Sequence, residues 1–411
     1  MKGNAIPSLR LEVLNRLIDE MLPGPELIFT NMFPSTSYPS DTIEWEVWED
    51  SAGMTPFVAP GSPAPSVGID TTRSGRATAA YWKEKTFFDE VFLNNMRMPG
   101  SHQELLTKER QVARQLARLN YRAQRRKEYM FAKMLTDGTM TYQINGGAKF
   151  TVNWGIPTAN QETLVANRYW GTGSTRNPVE DLFDIKLALK KEGVVPSMTY
   201  MNSTTLKLLL FDTSIQTLLA KSNYGEGDLF ARPAPVLADL LGLGRLAVID
   251  TLYEAVGWLT ADVTASSTTT VYVEDASDFE AGGTLRFINM TKTPDQAGYY
   301  EDETISSVDK AANTITISAA PSVGFKAGRD KVIMKKSVVA DYKVVMLDPS
   351  NYGGAPIAEF LEAPFGLARR WGRYVDTHDE WDPEGMYLRI QDKGMPVLYR
   401  PSAIFQLTVA A

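Results

Sequence analysis

One long helical pattern constrains the fold more than any other feature of the sequence. It runs from about Ser101 to Thr136, begins with a capping box at Ser101 and Glu104, and would extend for roughly 50 Å. Its apolar residues fall on one narrow stripe and therefore predict a helix that packs along its whole length on its own domain. The stripe consists of Leu105, Val112, Leu116, Leu119, Ala123, Met130 and Met134.

The opposite face of this helix carries an arginine at every fourth position. Like charges at this spacing repel each other by a few tenths of a kcal/mol per pair, so the face predicts anionic partners in a chain whose net charge is -7. Three interpretations are open: nucleic-acid phosphates, carboxylates of a protein partner, or a solvated face relieved by Glu104, Glu109 and Glu128. We favour the protein partner, because only Tyr121 is placed to stack on a base. This arginine ridge consists of Arg110, Arg114, Arg118, Arg122 and Arg126.

Composition argues against most catalytic chemistry. The 411 residues include no cysteine and two histidines, His102 and His378, which excludes thiolate catalysis and cysteine zinc sites and leaves little for histidine catalysis. The run His378-Asp379-Glu380 is interpreted as a surface turn rather than a metal site. No apolar run approaches the length of a membrane span. We therefore expect no enzyme activity, no cofactor, no metal and no membrane.

A projecting hairpin is predicted after an N-terminal arm. The strand pattern Thr42–Trp48 and a second one, Arg76–Phe88, flank a long polar run rich in Gly, Pro, Ser and Thr. Such a hairpin would have almost no core of its own and would be marginal unless it lay on a partner. Its charged residues would supply contacts between subunits, and the carboxylates suit the arginine ridge of a neighbouring copy. These residues are Glu44, Glu46, Glu49, Asp50, Arg73 and Arg76.

The second half of the chain divides into three patterns. Residues from about 178 to 260 alternate helices and strands, as in a compact α/β lobe. Residues 261–329 contain short strands and no long helix, and predict a small β-barrel inserted before the strand Lys331–Lys335. The last segment is strand-like, with turns predicted at Asp382–Gly385 and at Asp392–Gly394.

This order of elements resembles the lambda-type (E-family) major capsid proteins of tailed bacteriophages. The residues that carry the resemblance are Phe33, Ser37-Tyr38-Pro39 and the strand Thr42–Trp48 near the start, and Asp382–Gly385 and Met395–Ala403 near the end. Each motif is weak alone, whereas their order covers nearly the whole chain except the insert.

The resemblance implies an α+β fold, the Hong Kong ninety-seven-type capsid fold. Its parts are an N-terminal arm, an extended E-loop that lies over the neighbouring subunit, a spine helix in a peripheral domain, an α/β axial domain and, here, the inserted β-barrel. The corresponding ranges are 1–40 for the arm, 41–90 for the E-loop, 91–177 for the peripheral domain with the spine helix at 101–136, 178–260 and 330–345 for the axial domain, 261–329 for the barrel, and 346–411 for the return to the peripheral domain.

The implied function is that of a major capsid protein, which self-assembles as pentamers and hexamers into an icosahedral shell around packaged double-stranded DNA. The implied partners are copies of itself, a portal, non-specifically bound DNA and, as an open question, a decoration protein. Since no long coiled coil precedes the arm, we also expect a separate scaffolding protein. The implied locations are the virion capsid and, during assembly, the host cytoplasm. Two alternatives stay open: an encapsulin-like nanocompartment shell, and a phage tail or glycan-binding protein.

Overall fold

The protein has a mixed α+β architecture in which the described residues form three large sheets and two two-stranded sheets. A computed structural model describes residues 11–21, 24, 26–47, 54–55, 57–58, 63, 73–89, 108–143, 148–222, 227, 231–350, 354–382 and 384–410. The helices are α1 (Leu11–Glu20), α2 (Ile28–Met32), α3 (Lys108–Thr136), α4 (Pro178–Lys191), α5 (Ser203–Leu210), α6 (Thr213–Ala220) and α7 (Pro233–Leu241). The strands are β1 (Ser35–Ser37), β2 (Thr42–Val47), β3 (Arg73–Thr78), β4 (Ala80–Asp89), β5 (Thr139–Gln143), β6 (Lys149–Asn153), β7 (Gln161–Thr163), β8 (Met198–Met201), β9 (Arg245–Val248), β10 (Leu252–Trp258), β11 (Thr270–Tyr272), β12 (Thr284–Ile288), β13 (Tyr300–Asp309), β14 (Thr314–Ile317), β15 (Lys331–Ser337), β16 (Lys343–Leu347), β17 (Ala358–Glu362), β18 (Tyr374–Trp381), β19 (Glu384–Leu398) and β20 (Ile404–Thr408).

The first sheet lies under the spine helix α3. Its order is β1-β17-β19-β18, and β4 pairs with β19 along ten residues, from Ala80 opposite Gly394 to Asp89 opposite Gly385. The predicted stripe is confirmed, because every one of its members in the described part of α3 is buried; Leu105 and the capping box lie outside the described residues. The buried members are Val112, Leu116, Leu119, Ala123, Met130 and Met134.

The second sheet forms the α/β lobe, in the order β7-β20-β16-β8-β9. Helix α4 begins at the predicted start of this lobe, at about residue 178, with Asn177 accepting a hydrogen bond from the Glu180 N–H and Pro178 in the first turn. Strand β20 belongs to this sheet because its apolar residues are buried on β16. Residues 404–408 therefore lie in the second sheet and not in the first. The predicted range 346–411 had assigned them to the peripheral domain.

The third sheet is the inserted barrel, in the order β10-β15-β12-β13-β14-β11. It closes because the Thr260 N–H donates to the Tyr272 carbonyl (3.0 Å) and the Glu274 N–H donates to the Trp258 carbonyl (3.0 Å). Closure removes exposed strand edges. The barrel is larger than the predicted 261–329, since β10 and β15, which lie outside that range, form part of its wall.

Two local predictions about the last segment are wrong. Residues 392–394 do not turn, because β19 runs through them as a strand paired with β4 on one side and reaching β17 at Gly394. The run at His378 is not a turn either: it lies in β18, opposite Met386 and Tyr387. The predicted turn at Asp382–Gly385 does connect two strands, β18 and β19, although Pro383 is outside the described residues.

Candidate assembly surfaces

The arginine ridge on α3 divides into a partnered part and an unpartnered part. The Arg122 Nε lies 2.7 Å from Glu84 of β4, and the Arg126 guanidinium lies 2.7 Å from Asp278 of the barrel. Arg114 and Arg118 are exposed and have no acidic partner among the described residues. The side chain of Arg110 lies outside the described set. The available part of the ridge is therefore its N-terminal half.

The barrel is held on the spine helix by a buried acidic loop between β11 and β12. Glu280 is paired with Lys133 of α3 and, at 2.8 Å, with Lys336 of β15. Burial alone would raise the pKa of Glu280, but the two lysines overcome this effect and lower its pKa to about 2. Lys133 also lies 2.8 Å from Asp137. Part of the basic surface of α3 is thus neutralised within the same chain.

A second buried charge, Glu128, connects α3 to the N-terminal arm. Its carboxylate accepts hydrogen bonds from the Phe29 N–H (3.0 Å), the Thr30 N–H (2.8 Å) and the Thr30 hydroxyl (2.8 Å), at the start of α2. Burial raises the pKa of Glu128, and these donors partly oppose that shift. The interpretation of the ridge as a solvated face relieved by Glu128 is wrong on this point, because Glu128 faces the arm and not the arginines.

A third buried cluster fixes α3 to the peripheral sheet. The Lys127 Nζ lies 2.9 Å from Glu362 and 3.3 Å from Asp392, and it sits 4.5 Å from the centre of the Phe360 ring. Asp392 is fully buried, and burial raises its pKa despite the opposing effect of Lys127. The sequence pattern missed this cluster because Asp392-Lys393-Gly394 has the composition of a turn.

The base of the E-loop is packed more firmly than predicted. Ile43, Trp45 and Val47 of β2 are buried in the main core, and Trp45 lies so close to Gly75 of β3 that a Cβ there would come within 2.3 Å of the indole. The prediction that this hairpin has almost no core is therefore wrong for its base. The alternation of apolar residues in β2 already carried the signal.

The outward face of the same hairpin presents charge. Glu44 lies 3.4 Å from Arg76, with both side chains largely exposed, and such a pair contributes little to stability. Glu46 is exposed and has no basic partner among the described residues, and Arg73 is exposed at the start of β3. Glu49 and Asp50 lie outside the described residues. Among the described residues, neither Glu44 nor Glu46 forms an ion pair with the arginine ridge of the same chain.

The described residues contain no helix long and apolar enough to cross a membrane. They also contain no group of three or more side chains that could hold a metal ion.

Comparison with known proteins gives the same fold and a family. A phage-related protein from Bordetella bronchiseptica RB50 is similar at 10% identity over 97% of both chains, with a TM-score of 0.51. A protein assigned as the capsid protein of a prophage in Escherichia coli CFT073 is similar at 14% identity over 97% of this chain and 96% of its own, also with a TM-score of 0.51. At these identities the likeness shows the fold alone. No curated protein matches the sequence.

The deciding observation is a match of residues 12–299 to the family model described as phage major capsid protein E. The chain belongs to this family. It is accordingly a structural protein of the virion capsid, and copies of it form the icosahedral shell of a tailed phage. The predicted Hong Kong ninety-seven-type fold is confirmed, and membership favours the capsid function over the nanocompartment and tail-protein alternatives.

Proposed function

We propose that copies of this E-family protein join as pentamers and hexamers through contacts between the E-loop of one copy and the spine helix of the next. The observation that carries the proposal is complementary charge on two exposed surfaces, on which Glu46, Arg114 and Arg118 have no ion-pair partner among the described residues. Glu46, and Glu44 once released from its weak pair with Arg76, provide carboxylates on the outward face of β2. Arg114 and Arg118 provide guanidinium groups on α3.

The spacing of the two charged rows supports this pairing. Glu44 and Glu46 are two residues apart on one face of a strand, which places their Cα atoms roughly 7 Å apart. Arg114 and Arg118 are four residues apart on one face of a helix, which places them roughly 6 Å apart along the axis. A strand laid along the helix can therefore pair both carboxylates with successive arginines.

Each such contact is weak, and repetition makes the assembly stable. An exposed ion pair contributes about 0–1 kcal/mol, but ring closure makes later contacts intramolecular and raises their effective concentration. Weak individual contacts also allow a shell to rearrange, so maturation would be a shift between two packings of one subunit. The same proposal includes a separate scaffolding protein, a portal, room for a decoration protein, packaged DNA held non-specifically, and assembly in the host cytoplasm.

Charge reversal tests the E-loop contact. The double variant Glu44→Lys, Glu46→Lys is expected to slow shell formation at least roughly 10-fold, because like charges would meet across each interface. Light scattering during assembly and electron microscopy of the product measure the effect. The matched control is Glu274→Lys, Asp295→Lys, which makes the same charge change at exposed positions on the barrel and should leave assembly unchanged.

The reciprocal variant Arg114→Glu, Arg118→Glu separates protein contact from nucleic-acid contact. Combined with the two lysine substitutions it should restore assembly, since the charges are then exchanged. Assembly of the glutamate-to-lysine variant at the wild-type rate would contradict the proposal. Normal empty shells from the arginine variant, with a defect only in DNA content, would assign this half of the ridge to the genome instead.

A further inference from the structure

The tip of the β18–β19 hairpin carries a tryptophan that the fold leaves in solvent. Trp381 is 89% exposed at the last residue pair of the hairpin, opposite Glu384. Exposed aromatic side chains of this size are costly in water and are enriched at interfaces, where they act as anchors. The six-residue segment 379–384 also carries four acidic residues. They are Asp379, Glu380, Asp382 and Glu384, and we call this tip the acidic knob.

A depression of opposite character lies at the other end of β18. Its volume is about 490 Å³, within the range of roughly 300–1,000 Å³ that receives drug-sized groups, so one indole fits. Tyr81 and Phe365, whose ring centres are 6.0 Å apart, form apolar walls with Pro364. Arg369 stands at its rim, and Lys393 and Asp41 also line it. We call this depression the basic pocket.

The loop that forms the basic pocket is fixed in place. The Arg369 guanidinium donates to the Pro39 carbonyl (2.9 Å), and the Trp371 indole N–H donates to the Tyr38 carbonyl (2.9 Å). The backbone of Phe365 and Arg370 exchanges hydrogen bonds of 2.9 Å. The pocket is therefore preformed, which reduces the ordering cost of binding.

Charge at the pocket is positive and only partly compensated. Lys393 lies 2.8 Å from Asp41, whereas Arg369 in the lining, and Arg370 next to it in the loop but outside the lining, have no carboxylate partner in the described part of the chain. The guanidinium of Arg370 instead lies 3.8 Å from the centre of the Tyr374 ring. An occupant with carboxylates around an apolar anchor would match both the walls and the rim.

The knob and the pocket cannot meet within one subunit. They lie at opposite ends of β18, and the seven steps from Tyr374 to Trp381 span roughly 23 Å. We propose that Trp381 of one copy inserts into the basic pocket of a neighbouring copy, with the knob carboxylates facing Arg369 and Arg370. The contact is head-to-tail, so it closes into a ring or continues around the shell. This inference rests on the proposed self-assembly and adds a second, independent contact to it.

Site-specific cross-linking tests the contact directly. The chain has no cysteine, so Asp382→Cys with Leu367→Cys places a thiol beside the anchor and one at the fully exposed turn of the pocket loop, while Trp381 is kept. A bis-maleimide that is shorter than the distance between the two thiols within one copy should join neighbouring copies in assembled shells. The product would be a ladder of covalent multimers under denaturing conditions. Phe183→Cys with Leu367→Cys, which uses an exposed position on α4, should give no ladder.

Removal of the anchor tests its contribution. Trp381→Ala is expected to raise the subunit concentration needed for assembly roughly 10-fold or more. It should leave the circular dichroism and melting temperature of the unassembled subunit unchanged, because the indole contributes almost nothing to the fold. Two results together would overturn the knob-and-pocket contact and leave the capsid function standing: shells that form without cross-links, and a subunit concentration for assembly that Trp381→Ala does not change. Failure of the unaltered chain to form shells would instead count against the proposed assembly itself.

Discussion

Replacing Lys127 with methionine is expected to lower the free energy of unfolding of the unassembled subunit by about 3–5 kcal/mol. The Lys127 side chain is 5% exposed, and its Nζ lies 2.9 Å from Glu362 and 3.3 Å from the fully buried Asp392. Without it, Glu362 and the fully buried Asp392 would remain close together and would lose this cation. Urea unfolding measured at neutral pH gives the loss.

Two further variants make this result specific. Lys335→Met removes a lysine that is 66% exposed and 3.8 Å from Glu254, and should change the free energy of unfolding by less than about 1 kcal/mol. Adding Asp392→Asn to Lys127→Met should recover part of the loss, because the unpaired buried charge is removed. A loss below about 1 kcal/mol for Lys127→Met alone would show that the cluster does not hold the spine helix on the sheet.

Replacing Glu280 with glutamine is expected to cost about 3 kcal/mol at pH 7, and the cost should depend on pH. The folded chain lowers the pKa of Glu280 from 4.5 to about 2. Its contribution is therefore complete above the unfolded pKa and is lost as the pH falls through the folded pKa. The difference in stability between wild type and Glu280→Gln should shrink by more than half between pH 7 and pH 3.

Unfolding in urea at the two pH values measures this difference. Glu274→Gln, at an exposed position on the barrel, should have little effect at either pH. A cost for Glu280→Gln that is the same at pH 7 and pH 3 would show that the ionised carboxylate does not bridge the barrel and the spine helix.

Local periodicity was enough to predict the spine helix. The spacing of Val112, Leu116 and Leu119 fixes both the helix and its buried face, because these residues lie within two turns of one another. The capsid-type fold was implied by the resemblance of the order of such elements to that of a known family. Neither prediction required knowledge of a contact distant in sequence.

The partners of the buried charges could not be predicted in this way. Glu280 meets Lys133 across 147 residues, and no local pattern selects one carboxylate among 49 acidic residues. The local composition at Asp392 predicts a turn, but pairing with β4 overrides this preference. The partners of Arg122 and Arg126, which are half of the described arginine ridge, were missed for the same reason. They are Glu84 and Asp278 of the same chain, whereas the sequence predicts a neighbouring copy.

Electron microscopy of particles assembled from the purified chain, with and without a scaffolding partner, tests the proposed assembly most directly. The expected result is a closed icosahedral shell in which Glu44 and Glu46 of each E-loop lie within about 6 Å of a basic group on the next copy. A shell that places those carboxylates farther from every basic group of its neighbours would contradict the E-loop contact. A chain that remains monomeric under all conditions would contradict assembly as a whole.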